Sequence, residues 1–156
     1  MMLSTGEAGL EKKWMADTGS SRHLKGGTMG IFDIQDYPKG MKINFVQGVV
    51  KVKQWESILL EVDGDSGKRI IKLSQTLIVP SIRVNIFSLL RVVDKGYLLV
   101  FGEVDGEVLI KKTVQGGSLE QVATMSVHWG RLIVDCRQVR LGEGIQRGLS
   151  SEAMGL

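Results

Sequence analysis

Sulfur chemistry is nearly absent from this 156-residue sequence: beyond its methionines it has one cysteine, Cys136. That excludes an intramolecular disulfide and a cysteine-rich zinc site, and it fits a reducing, intracellular and cytoplasmic setting. No apolar run approaches the roughly 20 residues that a membrane helix needs, so no membrane partner is expected. The opening stretch MMLSTGEAGLEKK lacks the apolar core of a secretory signal, and residues 1–12 read as a disordered lead. Charge of one sign is missing as well. Twenty Lys and Arg stand against 17 Asp and Glu, a net charge of +3 with no run of like charge. That describes a solvated surface and not the basic stripe that a nucleic-acid partner requires. Proline occurs twice, so little in the chain forbids strands.

Glycine, by contrast, occurs 20 times, and it separates many short Val/Ile/Leu segments, the pattern of β structure. The candidate strands are Lys13 to Asp17, Met41 to Val46, Val49 to Gln54, Ser57 to Val62, Arg69 to Leu73, Thr76 to Val79, Tyr97 to Phe101 and Val108 to Lys112. Tyr37-Pro38-Lys39-Gly40, Gln47-Gly48 and Asp63-Gly64-Asp65-Ser66-Gly67 carry hairpin or loop chemistry. Val50 and Val52 alternate with Lys51 and Lys53, as in a half-exposed strand. One segment departs from this. Ile86, Leu89, Leu90 and Val93 recur at helical spacing up to Lys95-Gly96, a basic last turn followed by a glycine stop. The expected fold is mainly β: a small closed barrel with one short helix over 13–113, then a linker and tail over 114–156.

Residue types and spacing suggest chemistry at Asp17-Thr18-Gly19, which is entered from Trp14-Met15-Ala16 and left through Ser20-Ser21. A nucleophile loop of the aspartic protease kind needs a carboxylate at a sharp turn leaving a buried strand. It also needs a short hydroxyl to brace the turn and a glycine that lets backbone and substrate approach. The same letters also make an ordinary strand-ending turn. Asp65-Ser66-Gly67 is a formal second candidate, but its run of Asp and Gly reads as a hairpin turn.

In this order the blocks WMADTGSSRHL, GIFDIQDY, FVQGVVKV and LIVPSIRVNIFSLLRVVDKGYLLVF resemble the protease region of copia-type LTR retrotransposon Pol polyproteins, from about Trp14 to Lys112. GVVKVKQWESILLEVDG is also similar to the flap and following strands of retroviral proteases. The resemblance implies a retropepsin-type barrel, an aspartic endopeptidase cutting the polyprotein it came from, with no cofactor and a setting that includes virus-like particles. Asp17 is then the catalytic carboxylate. With one such loop per chain, the second aspartate must come from a partner in a homodimer. Thr18 would brace the two loops, Gly19 would open its backbone to substrate, and Gln47 and Gly48 would form the flap. Trp55 either lines the site or packs in the core. His23 is expected to make a structural hydrogen bond.

Two departures weigh against activity. Ser88 follows Ile86-Phe87 where retroviral-type proteases have a glycine beneath the active site, and its extra atoms are expected to crowd the loop. Gln54-Trp55-Glu56-Ser57 replaces glycine-rich residues after the hairpin. The tail, RQVRLGEGIQRGLSSEAMGL, is similar to a decayed zinc-binding pre-integrase segment. Gln138 and Glu143 replace its histidines, so no metal site is expected, and the tail is expected to form a short amphipathic helix or to be disordered. The alternative function is a silent barrel remnant acting as an interaction module.

Overall fold

The computed structural model describes residues 12–27, 35–45, 48–140 and 154–156. The lead over 1–11, most of GIFDIQDY, Gln47, Glu143 and the proposed tail helix lie outside them. The strands are β1 (Trp14–Asp17), β2 (Leu24–Gly26), β3 (Gln35–Phe45), β4 (Gly48–Gly64), β5 (Gly67–Val79), β6 (Asn85–Ser88), β7 (Leu98–Phe101), β8 (Glu107–Thr113), β9 (Leu119–His128), β10 (Arg131–Val134), β11 (Cys136–Val139) and β12 (Met154–Gly155). One short helix, α1, spans Leu89–Asp94.

Period-two burial builds the long strands. In β4 the buried residues are Val52, Glu56, Ile58, Leu60 and Val62, all on the face that turns to the core. The sequence predicts two strands here, Val49 to Gln54 and Ser57 to Val62. The chain nevertheless continues through a register shift between Glu56 and Ile58, the expected signature of a bulge. The same occurs in β5, where Gln75 adopts φ 53° and Thr76 Oγ1 donates to Leu73 O at 2.9 Å. β4 and β5 close on a two-residue turn, Asp65-Ser66, between the paired Gly64 and Gly67, as the Asp/Gly run predicts. Tyr37-Pro38-Lys39-Gly40, read as a loop, is a register shift inside β3, an irregularity that tolerates proline in a strand.

The sheet does not stop at Thr113. β9 pairs with β8 and β10, β10 with β1, and β11 with β4, so the stretch read as linker and tail holds strands of the same sheet. Gln138 lies opposite Leu60 in that pairing. The hydrogen-bonded path runs β11-β4-β5-β2-β6-β1-β10-β9-β8-β7. Only Asp135 separates β10 from β11, so the chain itself carries the path from β10 back to its β4 end. The interior holds Trp14, Leu60, Ile71, Leu73, Phe87, Ile110 and Met125, all fully buried. A second, smaller cluster of Leu24, Val52, Leu77, Val79 and Ile86 lies against the half-buried Met41, Ile43, Phe45, Ile82 and Val84.

Candidate active site

β1 is anchored by the buried Trp14 and paired in parallel with β6, Asp17 opposite Ser88. The strand therefore ends with Asp17 at the mouth of a turn. Gly19 N–H donates to Asp17 Oδ1 at 2.6 Å, and a Cβ at Gly19 would stand 3.2 Å from that oxygen. Ser20 Oγ donates to Arg22 O at 2.6 Å, closing the loop a second time. Ser88 does not crowd it. Its Oγ donates to Ser20 O at 2.6 Å and accepts from Arg91 N–H at 3.2 Å, capping α1. The room the serine needs is used by these bonds, so the hydroxyl ties the loop to the helix.

His23 is fully buried behind the loop, its ring 5.4 Å from that of Phe87. Ser88 N–H donates to Nδ1 at 2.9 Å. Nδ1 must then be unprotonated, so Nε2 carries the proton and donates to Leu156 O at 3.1 Å. The structural hydrogen bond expected of His23 is therefore present, and it is double. Burial lowers its pKa from 6.5 to about 4, against the pull of the Leu156 carbonyl and with the help of Arg91. Between those values the unfolded chain takes up a proton that the folded chain refuses, so stability falls as pH drops from 6.5 to 4. A gap of this size corresponds to about 3 kcal/mol. Denaturant melts of the wild type should lose stability over that window, and His23→Gln should flatten that part of the profile.

A cleft of about 780 Å³ opens beside the loop. Asp17, Gly19 and Arg22 line one wall, Met41, Ile43 and Phe45 of β3 line another, and Ile82, Val84 and Ile86 complete it. Asp17 thus lines a cleft whose other walls are largely apolar. Thr18 is exposed and does not line the cleft. Gly48 pairs with Phe45 at the end of the β3–β4 hairpin, so the hairpin read as a flap supplies a wall of the cleft through Phe45. Trp55 packs against the second apolar cluster and is not part of the cleft.

Behind the cleft lies a polar network that sequence reasoning missed. Lys25 and Asn85 are both 1% exposed. Asn85 Oδ1 accepts from Gly26 N–H at 3.0 Å and from Lys25 Nζ at 3.2 Å, while Nδ2 donates to Lys13 O at 3.0 Å. Burial lowers the Lys25 pKa and the charge of Glu56 opposes it. The signal was a polar residue in each of two strands that pair near their ends, and composition alone does not single it out. Removing Asn85 would leave buried partners unpaired, so Asn85→Ala should cost about 3 kcal/mol in a denaturant melt.

Asp65 is committed elsewhere. Its Oδ2 accepts from Gln121 N–H at 2.9 Å and its N–H donates to Gln121 O at 2.9 Å, which fixes the β4–β5 turn on β9. Burial pushes the Cys136 thiol up to about 12, leaving it without nucleophilic thiolate at neutral pH. Among the described residues no group of three or more His, Cys, Asp or Glu is placed to hold a metal.

Residues 14–97 match the family model described as Pol polyprotein, beta-barrel domain, which is more than half of the chain and spans the Asp17 loop, the hairpin wall and α1. Comparison with curated proteins and with solved structures gave no match. On this match the chain belongs to the beta-barrel domain family of retroelement Pol polyproteins.

Proposed function

We propose that this barrel is a copia-type, retropepsin-like aspartic endopeptidase that cuts the polyprotein from which it derives, inside the cell or a virus-like particle. The observation that carries the reading is Asp17 at the wall of a largely apolar cleft, with Gly19 N–H on its Oδ1. One carboxylate does not make the chemistry. Aspartic proteases use two that share a proton, because like charges about 3 Å apart cannot both ionise. Asp65 is held at β9, so the second carboxylate is Asp17 of another copy across a two-fold axis. One aspartate takes a proton from water as it attacks the peptide carbonyl, and the other protonates the carbonyl oxygen. Met41, Ile43 and Phe45 suit the apolar side chains of an extended peptide laid along the cleft.

The half-buried apolar strip along β3 also favours a second reading, in which a silent barrel serves only as an interaction module. Mass in solution, combined with a peptide panel at mildly acid pH, separates the two. A dimer that cleaves supports the endopeptidase. A folded protein of either mass that leaves the whole panel intact supports the silent barrel.

A further inference from the structure

Leu156 is 2% exposed and belongs to the main core, although the pairing around it is very short. β12 runs parallel to β5 through Met154 opposite Ile71 and Gly155 opposite Lys72, and Leu156 N–H donates to Lys72 O at 2.8 Å. The carbonyl of the same residue accepts from His23 Nε2. A strand of two residues has little stability of its own, so the buried leucine side chain, the short ladder to β5 and the two bonds made by Leu156 N–H and O hold the segment together. Gly155 differs: it is exposed, and a Cβ there would meet nothing within 4 Å. The site therefore has a pattern of its own, with an open second position and a third position shaped for leucine.

We propose that the β5 edge at Ile71–Lys72, the leucine-sized hole in the core and His23 Nε2 together form a docking slot for an extended peptide segment, filled here by residues 154–156 of the same chain. Filling it sets the catalytic loop. His23 grips Leu156 O with one ring nitrogen and Ser88 N–H with the other, and Ser88 Oγ holds Ser20 O three residues after Asp17. An empty slot leaves Nε2 without its acceptor and opens the ring to water. The consequence for catalysis rests on the endopeptidase reading, whereas the docking itself does not.

The test uses the full chain and reads the His23 ring by NMR. Leu156→Ala should shift the His23 ring signals and the Ser88 amide, which are linked to Leu156 O through the two ring nitrogens, while Gly155→Ala should change neither. Adding a synthetic peptide with the sequence of residues 151–156 should restore the wild-type signals, and the same peptide ending in lysine should not. Unchanged His23 signals in Leu156→Ala, or no restoration by the leucine peptide, would overturn the slot. Hydrogen exchange of the wild-type Leu156 amide provides a check that needs no variant. Exchange by local opening, faster than at Leu73, fits a docked segment, whereas exchange only on global unfolding makes Leu156 ordinary core and contradicts the proposal. None of these readouts involves peptidase activity, so failure of the slot and failure of the endopeptidase reading are separately visible.

Discussion

Asp17→Asn should, on the endopeptidase reading, abolish peptide cleavage while leaving the fold and the proposed dimer intact. Asparagine is nearly isosteric and can still accept the Gly19 N–H through its amide oxygen, so the loop geometry survives. What it cannot do is take a proton from water. Loss of one catalytic base typically costs on the order of 10²–10⁴ in rate. In a homodimer both halves change at once, so the loss should lie at or beyond the upper end of that range. The wild-type rate should follow a bell in pH on the acid side of neutrality, reporting the shared pair and not either residue alone. Below pH 6.5 the buried neutral His23 also erodes stability, so the acid limb of activity measured at long incubation should fall more steeply than that of initial rates. Circular dichroism and sedimentation of the variant check the first half of the expectation, and turnover of a cleavable peptide checks the second.

Gly26→Ala should be the most disruptive small substitution in the barrel. A Cβ there would lie 2.3 Å from Val84 O and 2.7 Å from Ile82 O, and both are backbone atoms that cannot swing away. β2 pairs there with β5 and bonds to Asn85, so the strand has little freedom to retreat. The 82–84 segment must move, and it forms one wall of the cleft. Overpacking of this kind costs 1–3 kcal/mol and occasionally more; with backbone on two sides, the upper figure of about 3 kcal/mol or more is expected in a denaturant melt. Gly27→Ala, next in sequence, meets no atom within 4 Å but has φ 63°, so it should cost only about 1 kcal/mol from the left-handed backbone.

The barrel was largely legible because its hairpins carry explicit turn chemistry and its long strands alternate. The short helix was legible from its stop signal, although Ile86, placed in its pattern, is a β6 residue. The strands beyond Thr113 were not. Glu120, Gln121, Ala123 and Met125 in β9 are residues that favour helices, and cross-strand pairing with β8 and β10 overrides that preference. The turn at Asp17 and Gly19 was legible from three letters and their neighbours, because the bond that shapes it is local. The cleft opposite them was not, since β3 and the 82–84 segment approach only through tertiary structure. Ser88 shows the limit most clearly. As a sequence difference it looked like an obstruction, and only the positions of Ser20 O and Arg91 N reveal it as a brace.

The central claim is that each active site is shared between two copies of Asp17, and mixing tests it most directly. Wild type at a concentration where it is fully dimeric should be combined with an equal amount of Asp17→Asn and allowed to exchange subunits. If both carboxylates are needed, about half of the wild-type subunits end in inactive mixed dimers, and cleavage should fall to about half that of the same wild-type amount alone. Unchanged cleavage after demonstrated exchange would mean that a single chain carries the whole site, contradicting the account.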